Sequence, residues 1–300
     1  MRNIVDGLQG VVNIADDVLV FATEYEKFKG NVINFLDRCV EHDLHLNPDK
    51  IRINVDSVPF FGQTLTKDGL QMDANKWQVI QNWPQPKNVK ELQSFLGSVN
   101  YLSKFIPHLS SFRKPLQDLL KSSNKFIWLK VHDEAFKILK NVIAKDVTLK
   151  YFDSNLPIYI ETDASKKGIG VVMLQPDNSV ENTSRTEVPN NLRPVFYASK
   201  TLTATESNYS NIEREMLGVV FSMLHFKHFT YGREVHIITD HKPLITLFAK
   251  NLATTSPRLS RMLIKILDYV VVLHHQEGNK MHLSDAISRL SVHDLSLIHI

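Results

Sequence analysis

The sequence predicts an α/β chain of more than one domain, and three observations carry that expectation. Short β-branched and apolar runs flank a pair of aspartates near the start, Asp16 and Asp17. A proline-punctuated stretch around Trp83 leads into segments whose apolar residues recur at helical spacing. From Pro157 three strand-like runs follow one another, after which helices and strands alternate. At 300 residues, 43% hydrophobic and 22% charged, the chain is long enough to bury two or three separate cores.

Taken in order, Val11 to Asn13 and Val18 to Ala22 read as the arms of a hairpin with Ala15, Asp16 and Asp17 at its tip. Phe28, Val32, Phe35, Leu36 and Val40 repeat at helical spacing and predict an amphipathic helix ending near His42 and Asp43. A second hairpin is expected from Ile51 to Leu65. Lys67, Asp68 and Gly69 then turn the chain into a helical rhythm, which sets a first boundary near residue 67. Trp83, Pro84, Gln85, Pro86 and Lys87 form a stop, and Leu92, Phe95, Leu96, Val99 and Leu102 give the following helix one buried face. Helices around Ser111 to Lys121 and His132 to Asp146 complete a small helical unit. Its Lys87, Lys90, Lys104, Arg113 and Lys114 suit a phosphate backbone or, equally, an ordinary solvated face. IYIETDAS, GIGVVMLQP and RPVFYASKTL predict three antiparallel strands. A long helix from Asn208 to Phe229 follows, then a strand VHIITD, helices over 242–249 and 256–267, and a strand from Val270 to His275: a mixed sheet with helices packed on it. Asp177 to Asn191 is polar and aperiodic, the pattern of a surface insertion.

Composition narrows the function classes. A formal charge of +3 is too small for whole-chain attraction to a polyanion, so any contact with nucleic acid rests on local basic surfaces. The single cysteine, Cys39, excludes an internal disulfide and a cysteine-rich zinc site, and suits a reducing, intracellular setting. No apolar run reaches the roughly 18 residues of a membrane span, no secretory signal pattern opens the chain, and no membrane partner is expected. The opening residues read as though they lie inside a larger domain.

Four acids stand in telling places: Asp163 in a strand, Glu215 in the long helix, Asp240 at the end of a strand, and Asp285 near the C-terminal end. A carboxylate within an apolar strand is costly to bury alone and calls for a cation, a hydrogen-bond network or water. Oxygen ligands without cysteine favour magnesium or manganese over zinc. Two such ions can activate a water and clamp a scissile phosphate, the chemistry of phosphodiester hydrolysis. Each acid taken singly also fits a strand-end turn, a cap or a solvated helix position. Histidines are the rival signal, since His225 and His228 are spaced by three on a helix while His274, His275 and His282 precede Asp285. No third ligand of a matched motif accompanies them.

From about residue 11 to about 290 the chain resembles the reverse transcriptase and RNase H region of Ty3/Gypsy-type LTR retrotransposon Pol polyproteins. IADD, Ile14 to Asp17, is similar to the polymerase signature whose paired aspartates face catalytic metals. FFGQTLTKDGL, Phe60 to Leu70, resembles the segment that grips the primer end, and Trp83 to Pro107 resembles the thumb-like helical unit. ETDASKKGIG, IEREMLGVV, TDHKPL and HLSDAISRL then follow in the family's RNase H order. The resemblance implies a partial palm over 1–67, a helical thumb or connection over 68–150 and an RNase H-like domain over 151–290 with a mixed five-stranded sheet. Residues 291–300 remain unassigned. It implies catalytic, metal-binding roles for Asp163, Glu215, Asp240 and Asp285, and for Asp16 and Asp17 in the polymerase site, with Mg2+ or Mn2+ as cofactor, two ions in the RNase H site. Glu215 is preferred to Glu213 because the family places its acid directly before a Leu-Leu-type pair, here Met216 and Leu217; residues two apart on a helix point to different faces, so both cannot serve.

The implied activity is hydrolysis of the RNA strand of RNA–DNA hybrids, within a parent polyprotein that is also an RNA-directed DNA polymerase. The implied partners are RNA–DNA hybrid, primer–template nucleic acid and other segments of the Pol polyprotein. Lys166, Lys242, Arg258, Arg261 and Lys265 are candidate contacts to the duplex, the last three sharing a helix face, although that pattern serves solubility equally well. The family's third polymerase aspartate and its fingers residues have no counterpart, Asp6 standing in the wrong context, so this chain alone is not expected to polymerise DNA. Met281 replaces the family's Asn before the last acid. An inactive nucleic-acid-binding remnant of a decayed element is the alternative, and a complete polymerase with further upstream sequence is a third. A cytoplasmic particle and the nucleus are both open as the site of action.

Overall fold

The computed structural model describes residues 2–121, 125–143, 147–177, 188–248 and 255–282. The chain divides into two compact units, Met1–Asp73 and Ala74–Ile300.

In the first unit a short helix α1 (Arg2–Val5) precedes the hairpin of β1 (Val11–Ile14) and β2 (Asp17–Val20), in which Ile14 pairs with Asp17. Ala15 closes the turn at φ 51°, a left-handed conformation that leaves Asp16 and Asp17 exposed beside it. Helix α2 (Tyr25–Glu41) packs Phe35 and Cys39 into a small core with Val5 and Val11. The expected inward row differs at its end, because Val40 is 81% exposed and Leu36 is 44% exposed. Residues advance by about 100° on a helix, so burying the Phe35–Cys39 row turns the adjacent Leu36–Val40 row outward. Strands β3 (Ser57–Phe60), β4 (Gln63–Thr66) and β5 (Gly69–Met72) form an antiparallel meander. Here the reading of a hairpin from Ile51 is corrected, since residues 51–56 lie in no strand. The Lys67–Gly69 turn returns into β5 rather than opening a helix, with Thr66 Oγ1 donating to Gly69 O at 2.8 Å across the corner.

The second unit starts with four helices: α3 (Ala74–Gln81), α4 (Val89–Tyr101), α5 (Leu109–Asp118) and α6 (Lys130–Val142). Asn88 caps α4 by accepting from the Glu91 backbone N–H at 2.9 Å, while the Glu91 carboxylate accepts from Lys87 N–H at 2.8 Å. Leu92, Phe95, Leu96 and Val99 form its buried face, and Phe95 meets Phe136 of α6 with ring centroids 4.6 Å apart. After a two-residue strand β6 (Thr148–Leu149) comes a five-stranded sheet of β7 (Ile158–Ala164), β8 (Gly168–Pro176), β9 (Leu192–Thr201), β10 (Glu234–Thr239) and β11 (Val270–His275), in the order β11-β10-β7-β8-β9. β7, β8 and β9 are antiparallel, whereas β10 runs parallel to both β7 and β11. Parallel neighbours need crossovers, supplied by α7 (Ala204–Ser207), α8 (Asn211–His225) and α9 (Lys227–Thr230) before β10 and by α10 (Lys242–Phe248) and α11 (Pro257–Ile264) after it. The single helix expected over 208–229 is two, α8 and α9, with α7 lying just before it. Ser210 opens α8 as a capping box with Glu213, and Phe226, at ψ 20°, closes it. α8 packs Val219, Val220 and Met223 against Ile158, Ile160 and Ile169 of the sheet.

Candidate active site

Strand alternation and helix phase decide where the acids point. In β7, Ile158 and Ile160 are fully buried in the core beneath α8, so Asp163 belongs to the other set of alternating positions and its side chain is 50% exposed near the strand's C-terminal end. It pairs across the ladder with Gly170 of β8. β10 runs parallel to β7, so both strands finish at the same end of the sheet; Asp240 follows β10 directly and is exposed there. His275 at the end of β11 lies with Nε2 3.2 Å from the Asp240 carbonyl oxygen, and Gly278 passes so close that an added Cβ would sit 3.2 Å from Asp240 Oδ2.

Glu215 reaches the same end from the first turns of α8. Only 4% exposed, it is pushed up to about 8 by burial first, then by the negative charges of Asp163 and Asp240, while the Ala164 backbone N–H and Arg214 pull it partly back. Its Oε2 is buried and has no hydrogen-bond partner among the described residues. Three carboxylates thus share one neighbourhood with too little positive charge, the environment a cation relieves. They are gathered rather than closed into a cage, for among the described residues no three acidic, histidine or cysteine side chains approach closely enough to grip an ion. Asp285 lies outside the described residues.

Glu213, two residues earlier, is engaged elsewhere. It accepts from Ser210 N–H at 2.9 Å and pairs with Arg258 at 2.9 Å. Burial works against its ionisation, but the Ser210 hydrogen bonds and Arg258 outweigh it and hold the carboxyl below its usual range. Arg258 also lies over the Tyr209 ring at 4.3 Å, so this candidate duplex contact is already committed to α8. Arg261 and Lys265 on and just beyond α11, Lys166 in the β7–β8 turn and Lys242 at the start of α10 are exposed. Asp16 and Asp17 stand exposed at their hairpin in the first unit, and no third metal-binding side chain among the described residues clusters with them. Apart from His275 beside Asp240, the rival histidines scatter. His225 packs against Phe196, Phe221 and Phe226, and His274 is buried with Nε2 2.9 Å from Nδ1 of His236.

One residue at the site had no sequence signal. His108, just before α5, is buried with Nε2 3.9 Å from Asp163 Oδ2. Burial lowers its basicity, with Asp163 pulling the other way. It arrives from the helical segment through tertiary packing, which no spacing in the chain announces.

Comparison with known proteins agrees with this fold. Residues 153–269 match the family model of the RNase H-like domain found in reverse transcriptase. The chain is 30% identical over 280 residues to the retrovirus-related Pol polyprotein from transposon 412 of Drosophila melanogaster, covering 93% of this chain and 22% of that protein. It is also 30% identical over 282 residues to the transposon Tf2-3 polyprotein of Schizosaccharomyces pombe, covering 93% of this chain and 20% of that one. The chain therefore spans about a fifth of the length of these curated relatives. Among solved structures, the foamy viral protease-reverse transcriptase dRH in complex with double-stranded DNA shares its fold at TM-score 0.79 and 19% identity, over 92% of this chain and 48% of that one. The foamy viral protease-reverse transcriptase in complex with RNA/DNA hybrid does so at TM-score 0.75 and 18% identity, over 92% and 37%. With strand order and sequence in agreement, residues 153–269 match the RNase H-like domain found in reverse transcriptase, and over 93% of its length the chain is similar to Pol polyproteins of Ty3/Gypsy-type retrotransposons.

Proposed function

We propose that the chain is a divalent-metal-dependent nuclease that cuts the RNA strand of RNA–DNA hybrids. The observation that carries this reading is Glu215, a buried carboxylate raised to about 8 by burial and by Asp163 and Asp240, with one oxygen lacking a partner among the described residues. Asp163, Glu215 and Asp240 would hold Mg2+ or Mn2+, joined by Asp285 on the strength of the family resemblance. When bound, a pair of such ions supplies an activated water and stabilises charge on the scissile phosphate. The chain's own part is to hold the carboxylates at one end of the sheet. Glu215 is fixed by the core beneath it, while Asp163 and Asp240 face solvent where a phosphate can approach. Exposed Lys166, Lys242, Arg261 and Lys265 suit backbone phosphates, and minor-groove contacts to 2′-hydroxyl groups would select the hybrid.

The division into a partial palm (1–67), a thumb or connection (68–150), an RNase H-like domain (151–290) and a tail is part of this proposal, as is an intracellular site of action in a cytoplasmic particle or the nucleus. So are the partners: hybrid, primer–template and other Pol segments. No helix among the described residues is long and apolar enough to cross a membrane. Asp16 and Asp17 are proposed as two acids of a polymerase site that this chain alone does not complete.

A hybrid-cleavage assay on the purified chain, with and without chelator, is the test. Metal-dependent loss of the RNA strand, abolished by Asp163→Asn or Asp240→Asn, is expected. The open arrangement of the three acids favours a second reading, an inactive nucleic-acid-binding remnant. Hybrid that is bound yet survives intact in Mn2+ would establish that reading instead.

A further inference from the structure

We infer that His108 is a positioning residue for Asp163: its imidazole holds one carboxylate oxygen so that the other is presented to the cation shared with Glu215 and Asp240. The inference rests on the nuclease reading above and extends it to a residue outside the RNase H-like domain, on the helical segment that precedes it in the chain.

The seat for this imidazole is built. His108 takes left-handed backbone angles, φ 49° and ψ 25°, uncommon for a residue with a Cβ and held here by its surroundings. The imposing contacts are visible next to it. Ser110 N–H donates to Ser199 Oγ at 2.9 Å, and Thr201 Oγ1 donates to the Ser110 carbonyl at 3.4 Å, so β9 fixes the start of α5. β8 makes the room. Gly168 and Gly170 lie on the same face of that strand, as residues two apart must. A Cβ at Gly168 would sit 2.7 Å from Ser110 Oγ, and one at Gly170 would overlap the His108 ring. The two glycines of the run GIG are therefore the floor on which the helical segment rests. Gly170 is the ladder partner of Asp163, and the ring lying over it points Nε2 at Asp163 Oδ2, 3.9 Å away.

An aliphatic or phenyl side chain would fill this space equally well, and only a nitrogen uses its neighbour. Nε2 is buried without a hydrogen-bond partner among the described residues, and the adjacent carboxylate is half-exposed and able to swing the remaining distance. Groups that orient a metal-binding side chain without touching the ion typically set metal affinity.

The experiment uses the whole 300-residue chain without nucleic acid. Mg2+ binding is followed by calorimetry, and thermal melting is recorded in chelator, for the parent, His108→Phe, His108→Gln and Asp163→Asn. Phe keeps the bulk and removes the nitrogen; Gln restores an N–H near the Nε2 position. The expected result is Mg2+ binding weakened about 10-fold in His108→Phe and close to the parent's in His108→Gln, with melting in chelator alike for the two. Equal weakening in both variants, or parental binding in His108→Phe, overturns the inference while leaving the nuclease reading intact, provided Asp163→Asn loses binding. A parent chain that binds no Mg2+ overturns both. Should His108→Phe fail to melt cooperatively, His108→Leu replaces it under the same criteria.

Discussion

Glu213 and Glu215 lie two residues apart on α8 and meet opposite environments, so their substitutions should part company. Glu215→Gln replaces a buried carboxyl that the metal-free fold must keep protonated at neutral pH with a group that is always neutral, and is expected to abolish hybrid cleavage while raising the melting temperature of the metal-free chain at that pH. Glu213→Ala removes a cap and an Arg258 partner, and should cost about 1 kcal/mol of stability with cleavage retained. Denaturant titration and a cleavage assay on both variants check the pair. The raised Glu215 also fixes a pH dependence. Between the ordinary carboxylate range and about 8 the metal-free folded state binds the proton that the unfolded chain has released. The stability this contributes is fully present below the unfolded pKa and is lost as pH rises through about 8. Melting in chelator should therefore fall across that window, and Glu215→Gln should flatten the slope. Legibility at this scale was uneven. Strand context put Asp163 and Asp240 at strand ends, where each fitted a turn or cap as well as a metal, so their proposed role came from the family resemblance too. Spacing alone left Glu213 and Glu215 equivalent, and the choice came from family resemblance. His108 was invisible, since it reaches Asp163 by a left-handed turn and contacts remote in sequence.

At the scale of elements, patterns with one period were readable and those set by packing were not. β7, β8 and β9 were announced by continuous apolar runs, and α4 by its i, i+3, i+4 row. The interruptions escaped, because the capping box at Ser210–Glu213 starts α8 and Phe226 ends it inside a stretch whose apolar rhythm continues. The outward turn of Val40 and the absence of a strand at 51–56 depend on neighbours that a local window does not contain. The Ser210 cap offers a direct measurement. Ser210→Ala frees donors at the start of α8 and should cost about 1 kcal/mol. Because α8 carries Glu215, amide exchange should quicken first in its opening turn, and uniform exchange across α8 would speak against that local role.

For the whole molecule, folding and ion binding should be linked. A ligand that binds only the folded state stabilises by about 2.7 kcal/mol when present at about 100 times its Kd. Mg2+ should then raise the melting temperature by several degrees and chelator should reverse the gain, while circular dichroism at room temperature stays unchanged, because the core beneath α8 is apolar and complete without it. Primer extension by the chain alone should be undetectable, with any clear incorporation refuting the proposal for Asp16 and Asp17. The sheet order has one more consequence. β7 occupies the middle of the sheet, and one of its two edges is closed only by β10, a strand reached after β8, β9 and three helices. On the ribosome that edge stays bare for as long as the intervening residues take to emerge. A premature stop within α8 would therefore release a polypeptide with an open, apolar template for pairing with its own copies.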